Sequence, residues 1–541
     1  EGFGYPEIIT DINPEELSTE KRANVGIIYP YGNTTVPVAL QQGPALAEKS
    51  GINLLLCAFP DADKGKQQIL INEGLLYMKP EDIANLREKH KHYGQHKNGM
   101  VFVTFAKPVV LDGIFFHFTH PLRPYIDAFR IPIIQPLIWE AATHLKCELP
   151  AMLKGSCVRC PAQENWYMED TLKYKDRSKH YIREMIKKLA DRYDILIVKP
   201  EKESGGRKAL IRQVKVKEQY IKENIQQLVD LVFDISLTDN AVIQQVIESR
   251  VRQLYSEEFL ERLVERFARI GIPVLLEREP QTSLYSYFRQ ILVLGEKEYR
   301  ISHHITVVST RGIANVGQGG ILFEYTDDII HPKYRMDLRQ QLTQAAYKSM
   351  EAQRQYLRDN WQFILRQYMK IHPEFAAKIK YDSIFTDVTG FPINDIPYEM
   401  GDYMPVFLVD EKDNLQYIFD YDKEEMQPLY QKNGQPTDIK IFDKNHREIK
   451  RVGKNNEPVS VPFFDGTNGK RQIFDCKGKE IPSLVIYKIE PNPGAGLWRP
   501  HNDQLPPERK GEGVFIIFDA LGQRAKQAKK IRNYQNRHSD L

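Results

Sequence analysis

Along this chain the apolar positions follow two rhythms, short runs of β-branched and aromatic residues and longer stretches with a helical period. Residues 25–29, 52–57, 100–105 and 113–118 are runs of the first kind, with helical stretches expected around 42–49 and over 80–92. Strands alternating with helices predict an α/β domain to about Pro136, behind a polar, proline-marked arm over 1–24. The spacing predicts helices over 137–153, broken at Gly155, and over 181–193, 216–233 and 257–270. Strands are expected at 195–198, 241–247, 273–277, 288–294 and 299–309, and a long helix with few breakers over 338–369. Residues 381–483 are rich in Asp, Lys, Asn and Gly, with short strands at 406–410 and 415–419. They read as a β-rich insertion with long polar loops and no internal repeat. A strand at 484–489 follows, then an apolar run at 514–518 and a basic tail, 524–537, expected to be a solvated helix end.

The most informative stretch runs from Asp194 to Ile211. Ile195 to Val198 reads as a buried strand, Lys199-Pro200 puts a cation at its exit, and Gly205-Gly206 sits in the polar turn before the return strand. Such a tip can close over phosphates, because glycine permits close backbone approach while a lysine reaches from below. The same pattern also describes a solvated hairpin with a glycine turn.

Composition narrows the field. A chain of 541 residues, 42% hydrophobic and 27% charged, has enough apolar side chains for roughly two to four domains. Lys+Arg at 75 against Asp+Glu at 72 argues against a nucleic-acid partner bound by bulk positive charge. No apolar run reaches spanning length, so no membrane partner is expected. Five cysteines are too few for a disulfide framework, which makes the cytoplasm the expected compartment. Cys157-Val-Arg-Cys160 has metal-ligand spacing, but Cys57, Cys147 and Cys476 supply no second pair, and the thiols are read as ordinary. His117, His120 and Arg123 are read as a polar loop.

Four further patterns follow in order. His144-Leu-Lys146 starts a helix upstream of Val158-Arg-Cys-Pro161, and Val242-Ile-Gln-Gln-Val-Ile247 is an extended strand whose backbone edge could bond a purine. Arg289 begins an apolar strand, followed by the glycine-rich loop Arg311-Gly-Ile-Ala-Asn315-Val-Gly-Gln-Gly319-Gly320. Glu490 and Asn492 end a strand two residues apart and so share a face, as ligands of one hard cation bridging phosphates must.

This order resembles the ATP-grasp superfamily of carboxylate–amine ligases, over about Leu137 to Gln523 plus the α/β domain that usually precedes it. The resemblance implies an α/β (α+β) ATP-grasp fold in four parts. These are an arm and pre-ATP-grasp α/β domain (1–136), a nucleotide-binding region (137–380) with a helical insertion near 248–272, the start of a metal hairpin with the β-rich insertion (381–483), and a C-terminal part (484–541). It implies ATP and Mg²⁺ as cofactors. Lys146 and Lys199 would hold the nucleotide, Ser204, Gly205 and Gly206 would form its lid, and Gln244, Gln245 and Ile247 its adenine hinge. Gln245 stands where the family usually has glutamate, and 274–279 is a second hinge candidate. Arg289, Arg311 and Asn315 would stabilise the transferring phosphoryl group, and Glu490 and Asn492 would hold magnesium with Asp402, or alternatively Asp410.

The implied reaction converts a carboxylate to an acyl phosphate, from which an amine displaces phosphate to form an amide. Its partners would be small-molecule or peptide carboxylates and amines, with a homo-oligomer left open. A small-molecule kinase on the same fold and a non-catalytic nucleotide-binding scaffold are the alternatives. Two metal-binding carboxylates repel each other without a cation, so Glu490→Gln is expected to leave unliganded stability flat or slightly raised. Residues 420–480 are expected to be removable without loss of ATP binding.

Overall fold

A mixed sheet forms over the stretch expected to be α/β, and it has more than the four strands expected. The computed structural model describes all residues except 1–6, 18–21, 29–46, 58–59, 78–79, 95–99, 117–121, 123–124, 127–128, 134–136, 202–208, 216–217, 248, 273, 275–283, 295–298, 311–319, 372–397, 466–468, 493–511 and 540–541. Its first sheet is built from β1 (Glu7–Ile12), β2 (Ala23–Ile28), β3 (Ile52–Cys57), β4 (Asp61–Asp63), β5 (Gln68–Tyr77), β6 (His92–Tyr93), β7 (Met100–Val110) and β8 (Gly113–Phe116). The order is β6-β1-β7-β5-β3-β2-β8, with β4 beside β5. The segment taken for an arm therefore supplies an internal strand. β1 lies between β6 and β7 with Ile9 and Ile12 buried, an alternation too short to stand out among polar neighbours.

The second sheet is antiparallel. It contains β9 (Gln163–Trp166), β10 (Ile195–Pro200), β11 (Leu210–Gln213) and β12 (Ala241–Gln245), in the order β11-β10-β12-β9. The helices Ser178–Ala190 and Glu218–Ile235 cover one face. Ile182, Ile186 and Leu189 from the first and Leu228, Val229 and Val232 from the second bury against Leu196, Val198 and Ile243. Strand side chains alternate, so with Leu196 and Val198 turned toward the helices, Lys199 faces the other way.

The third sheet is also antiparallel. β13 (Tyr285–Leu294), β14 (Tyr299–Ser309), β15 (Ile321–Glu324) and β16 (Tyr398–Phe407) precede the short hairpin strands β17 (Tyr417–Asp420), β18 (Glu425–Pro428), β19 (Phe442–Asp443) and β20 (Ile473–Phe474). β21 (Leu484–Asn492) then closes the order β15-β14-β13-β16-β21. The helix Arg335–Ile371 joins its core through Leu338, Leu342, Ala346, Met350 and Leu357, on helical spacing. Helices Val251–Leu254 and Glu257–Arg269 occupy the stretch expected to be a helical insertion. The second starts on Ser256, whose Oγ accepts the Phe259 N–H at 3.3 Å, with acids in the first turn and Arg266 and Arg269 in the last.

The insertion between β16 and β21 is a repeat, against the expectation of irregular loops. Hairpins starting at Leu429, Arg451 and Ile473 recur every 22 residues, and a second series at Ile441 and Phe463 interleaves with them. In each, the third residue donates its N–H to the carbonyl four positions on: Gln431 to Gln435, Asp443 to Arg447, Gly453 to Glu457, Asp465 to Gly469 and Asp475 to Lys479, at 2.7–2.9 Å. The turns need a left-handed residue, and Gly434, His446, Asn456 and Gly478 take φ between 58° and 82°. The first residue of each unit points inward, so Leu429, Ile441, Phe463 and Ile473 are buried. Arg451 replaces the hydrophobe once, and its guanidinium donates to the carbonyls of Leu429, Thr437 and Ile439. The array shares its core with the long helix: Tyr334, directly before the helix, packs on Phe464 at 5.5 Å, and Lys470 pairs with Asp337 at 2.8 Å.

The basic tail is likewise no solvated end. The helix Glu512–Ser539 lies on the first sheet with Ile517, Phe518, Leu521 and Ala525 buried against Val25, Ile52 and Phe115. Two glycines permit the approach, since a Cβ on Gly113 would meet Ala525 at 2.9 Å and one on Gly522 would meet Ile52 at 2.9 Å. The cations bond inward. Arg524 donates to the Ile133 carbonyl at 3.0 Å, Lys526 to Ser50 at 2.6 Å and Lys529 to Arg22 at 2.6 Å, while Arg532 pairs with buried Asp112 at 2.6 Å. Charge count alone hides this, because long basic stems bury along apolar surface while their heads reach carbonyls.

Candidate active site

Three neighbouring strands place charged side chains in a row. Register pairs Arg289 on β13 with Asp402 on β16, and Asp402 with Glu490 on β21, and residues opposite each other share a face. Arg289 grips Asp402 with two bonds, Nε to Oδ1 at 2.7 Å and Nη2 to Oδ2 at 2.9 Å. Glu490 is met from the second sheet and its neighbouring turn: Lys146 Nζ lies 3.4 Å from Oε1 and Lys199 Nζ 3.6 Å from Oε2. Lys146 also donates to the Pro200 carbonyl at 3.2 Å, so both lysines are fixed to the exit of β10. The expected continuous helix over 137–153 is split to allow this. Lys146 opens a 3₁₀ turn, Lys146–Glu148, between the helices Leu137–His144 and Leu149–Leu153, with Pro150 at the start of the second.

The electrostatics follow from packing. Burial alone would raise the Glu490 carboxyl, but Lys199 and Lys146, with Arg289 behind them, outweigh it and hold it at about 2. Burial lowers the Lys199 ammonium and Lys146 adds to the effect, against the pull of Glu490. The cluster sets three cations against two carboxylates, so it is poised for an anion. Among the described residues no group of three or more His, Cys, Asp or Glu side chains could hold a metal. Two carboxylates completed by phosphate oxygens nevertheless fit Mg²⁺, which is often bound by one or two carboxylates plus substrate phosphates.

The remaining expected residues divide. Asp402 is in the cluster, whereas Asp410 is in a hairpin turn, its Oδ1 accepting the N–H groups of Lys412 and Asn414 at 2.9 and 2.8 Å. The backbone of Asn492 pairs opposite Met400 at the end of β21, and its side chain lies outside the described residues. Ser204, Gly205, Gly206, Arg311, Asn315 and residues 275–279 also lie outside them, as do His117, His120 and Arg123. The hinge reading needs a correction. β12 is an internal strand bonded to β10 and β9, so its edges are taken. The N–H groups of Gln245 and Val246 donate to Ala162 at 2.8 Å and Ile195 at 3.0 Å, and Gln244 Nε2 donates to Gln163 at 3.3 Å.

Two neighbours of the cluster were missed. The Tyr287 hydroxyl accepts from Arg289 Nη2 at 3.1 Å, and its position two residues before Arg289 on a strand was the available signal. Glu201, an acid directly after a buried strand-Lys-Pro, bonds the backbone next to Lys146.

Two antiparallel sheets thus meet at a pair of lysines and a pair of carboxylates. No family model matches the chain, and no curated protein matches it in sequence. Among solved structures it is similar to D-cycloserine synthetase DcsG, at 9% identity and TM-score 0.38 over 93% of this chain and 100% of that one. It is also similar to the D-alanine–D-alanine ligase from Bacillus anthracis complexed with ATP, at 9% identity and TM-score 0.37 over 95% and 99%. The macrocyclase MdnC bound with precursor peptide MdnA, from Microcystis aeruginosa, gives 8% identity and TM-score 0.31 over 70% and 86%. These are likenesses only, and the sheet order and the five clustered side chains carry the reading.

Proposed function

We propose that the chain is an ATP- and magnesium-dependent ligase that activates a carboxylate as an acyl phosphate and joins it to an amine. The observation that carries this is the convergence of Lys146 and Lys199 on Glu490, at 3.4 and 3.6 Å, from separate parts of the chain. Two largely buried ammonium groups need a negative partner. In the free protein Glu490 fills that need, and a triphosphate would take it over, freeing Glu490 to hold a dication beside Asp402, the residue opposite it on β16. Magnesium, when bound, neutralises phosphate charge.

Every other contribution is made by the chain itself. Lys146 and Lys199 bind and orient the phosphates. Arg289, steadied by Asp402 and Tyr287, stabilises negative charge on the transferring phosphoryl group, with Arg311 and Asn315 assigned to the same task. The lid with Ser204, Gly205 and Gly206 excludes water from the acyl phosphate, and Ile247, past the end of β12, is assigned to the base. No helix among the described residues is long and apolar enough to cross a membrane. Small-molecule or peptide substrates in the cytoplasm remain the proposed setting.

The test supplies Mg-ATP with pools of carboxylates and amines and reads ADP, phosphate and product mass. A ligase releases ADP and phosphate in step with an amide, and only when both pools are present. Phosphate retained on one substrate identifies a kinase, and absence of turnover with every pool overturns the ligase reading.

A further inference from the structure

We propose that Glu201 is a positioning residue for the two phosphate-facing lysines, clamping the Lys146 turn to the exit of β10, and that proton uptake by its carboxylate opens the clamp. This rests on the nucleotide reading given above. Glu201 is 1% exposed and directly follows Lys199-Pro200. Its Oε1 accepts the N–H of Cys147, the residue after Lys146, at 3.1 Å, and its Oε2 accepts from Asn240 Nδ2 at 2.6 Å. Its own N–H donates to the Asn240 carbonyl at 2.9 Å. Asn240 is oriented in turn, because the Met168 N–H donates to its Oδ1 at 2.9 Å. Both carboxylate oxygens therefore face donors whose direction is set. A protonated carboxyl would turn an O–H against one of them, and that arm of the clamp is lost. Where that arm is the Cys147 bond, the Lys146 turn keeps only the Lys146–Pro200 bond to the exit of β10, and small displacements at a phosphate site weaken every contact made there.

The surroundings bring that proton exchange near neutrality. Burial, the largest influence, pushes the Glu201 carboxyl up, the Asn240 and Cys147 bonds draw it back, and Asp239 adds repulsion, leaving it at about 7. The titratable and charged groups around it are Cys147 and Glu148 on the turn, Tyr167 and Glu169 beyond β9, Asp239 before β12 and Lys370 on the long helix. Except for Cys147, these line with Glu201 a cavity of about 270 Å³ that gives protons access. The Cys147 thiol is pushed well up by burial and by Glu201, so it stays protonated across this range.

A carboxyl raised in the folded state contributes stability that is full below its unfolded value near 4.5 and lost as pH rises through about 7. The clamp gains its carboxylate over the same rise. Stability and nucleotide affinity therefore move in opposite directions through neutrality.

The experiment measures Mg-ATP affinity of the full chain by calorimetry from about pH 5.5 to about pH 8.5, for wild type, Glu201→Gln and Asn240→Ala. Wild-type affinity is expected to rise on the order of tenfold across the window. Glu201→Gln sets an amide N–H against Asn240 Nδ2, so it should bind weakly and lose the rise, with the nucleotide's own titration common to both proteins. Asn240→Ala removes a bond that holds the carboxyl down and should move the midpoint to higher pH, which keeps the test decisive if the glutamine variant does not fold. A merely structural Glu201 would lower the melting temperature of Glu201→Gln while leaving its affinity–pH curve parallel to wild type, and that result overturns the proposal. Wild type that binds no Mg-ATP at any pH removes the nucleotide reading, and the clamp with it. Wild type that binds with no pH dependence beyond that of the variant removes the clamp alone.

Discussion

Glutamine at position 490 would remove the one negative charge that both lysines share while keeping the side chain's shape. The Glu490 carboxyl is held at about 2 against a usual 4.5, so its ionised form is favoured in the folded protein. At ~1.4 kcal/mol per unit, that corresponds to about 3 kcal/mol of stability at neutral pH. The sign follows from the depressed value: the contribution is present above about 4.5 and lost as pH falls through about 2. Glu490→Gln should therefore melt below wild type at neutral pH, with the two proteins converging under acid. This reverses the expectation of flat or raised stability, because two lysines meet Glu490 and Arg289 neutralises Asp402 opposite it. Ligand makes the second half of the assay. In wild type, Mg-ATP should raise the melting temperature more than ATP in chelator does, whereas in the variant the two shifts should match. A variant as stable as wild type would show that the lysine pairs contribute nothing, and a retained magnesium-dependent shift would remove Glu490 from the metal-binding set.

Other outcomes follow from neighbouring contacts. Lys199→Ala should abolish ATP turnover, by about 2–4 kcal/mol of lost transition-state stabilisation, without unfolding the protein, and turnover near wild type would remove it from the phosphate site. Arg532→Ala leaves Asp112 buried without its guanidinium and should cost about 3 kcal/mol, read as a lower melting temperature that Asp112→Asn in the same chain partly restores. Replacing 420–480 with a short linker strips Phe463, Phe464 and Ile473 from the core they share with the long helix, so soluble protein should not be recovered. This corrects the expectation that the insertion is dispensable, and a soluble deletion that still binds Mg-ATP would restore it.

The parts of the fold that were legible in sequence are those where side-chain pattern and backbone geometry coincide. β10 could be read because Ile195 to Val198 is an apolar run ended by Lys-Pro, and the long helix because few breakers interrupt it. Glu490 stood out through a two-residue spacing that β21 preserves. The hairpin array was illegible because its repeat resides in the main chain. The left-handed position is filled by Gly434, His446, Asn456 and Gly478 in turn, and the inward position once by Arg451. Glu201 was read as the start of the polar tip rather than as a buried acid because its partners, Cys147 and Asn240, lie far away along the chain. The 3₁₀ turn at Lys146 escaped for a different reason, since apolar spacing continues through it.

The helix Glu512–Ser539, which covers one face of the first sheet, is also the last described element to be made. Until it arrives, Val25, Ile52 and Phe115 lack Ile517, Phe518, Leu521 and Ala525, which complete their cluster. At elongation rates of about 5–20 residues per second, that face waits roughly 20–80 s after its own strands have left the ribosome. A nascent chain in this interval carries an uncovered apolar sheet, the kind of surface that holding chaperones grip and that neighbouring nascent chains aggregate through. Yield on expression should therefore respond to translation speed and chaperone supply before it responds to the melting temperature of the finished protein.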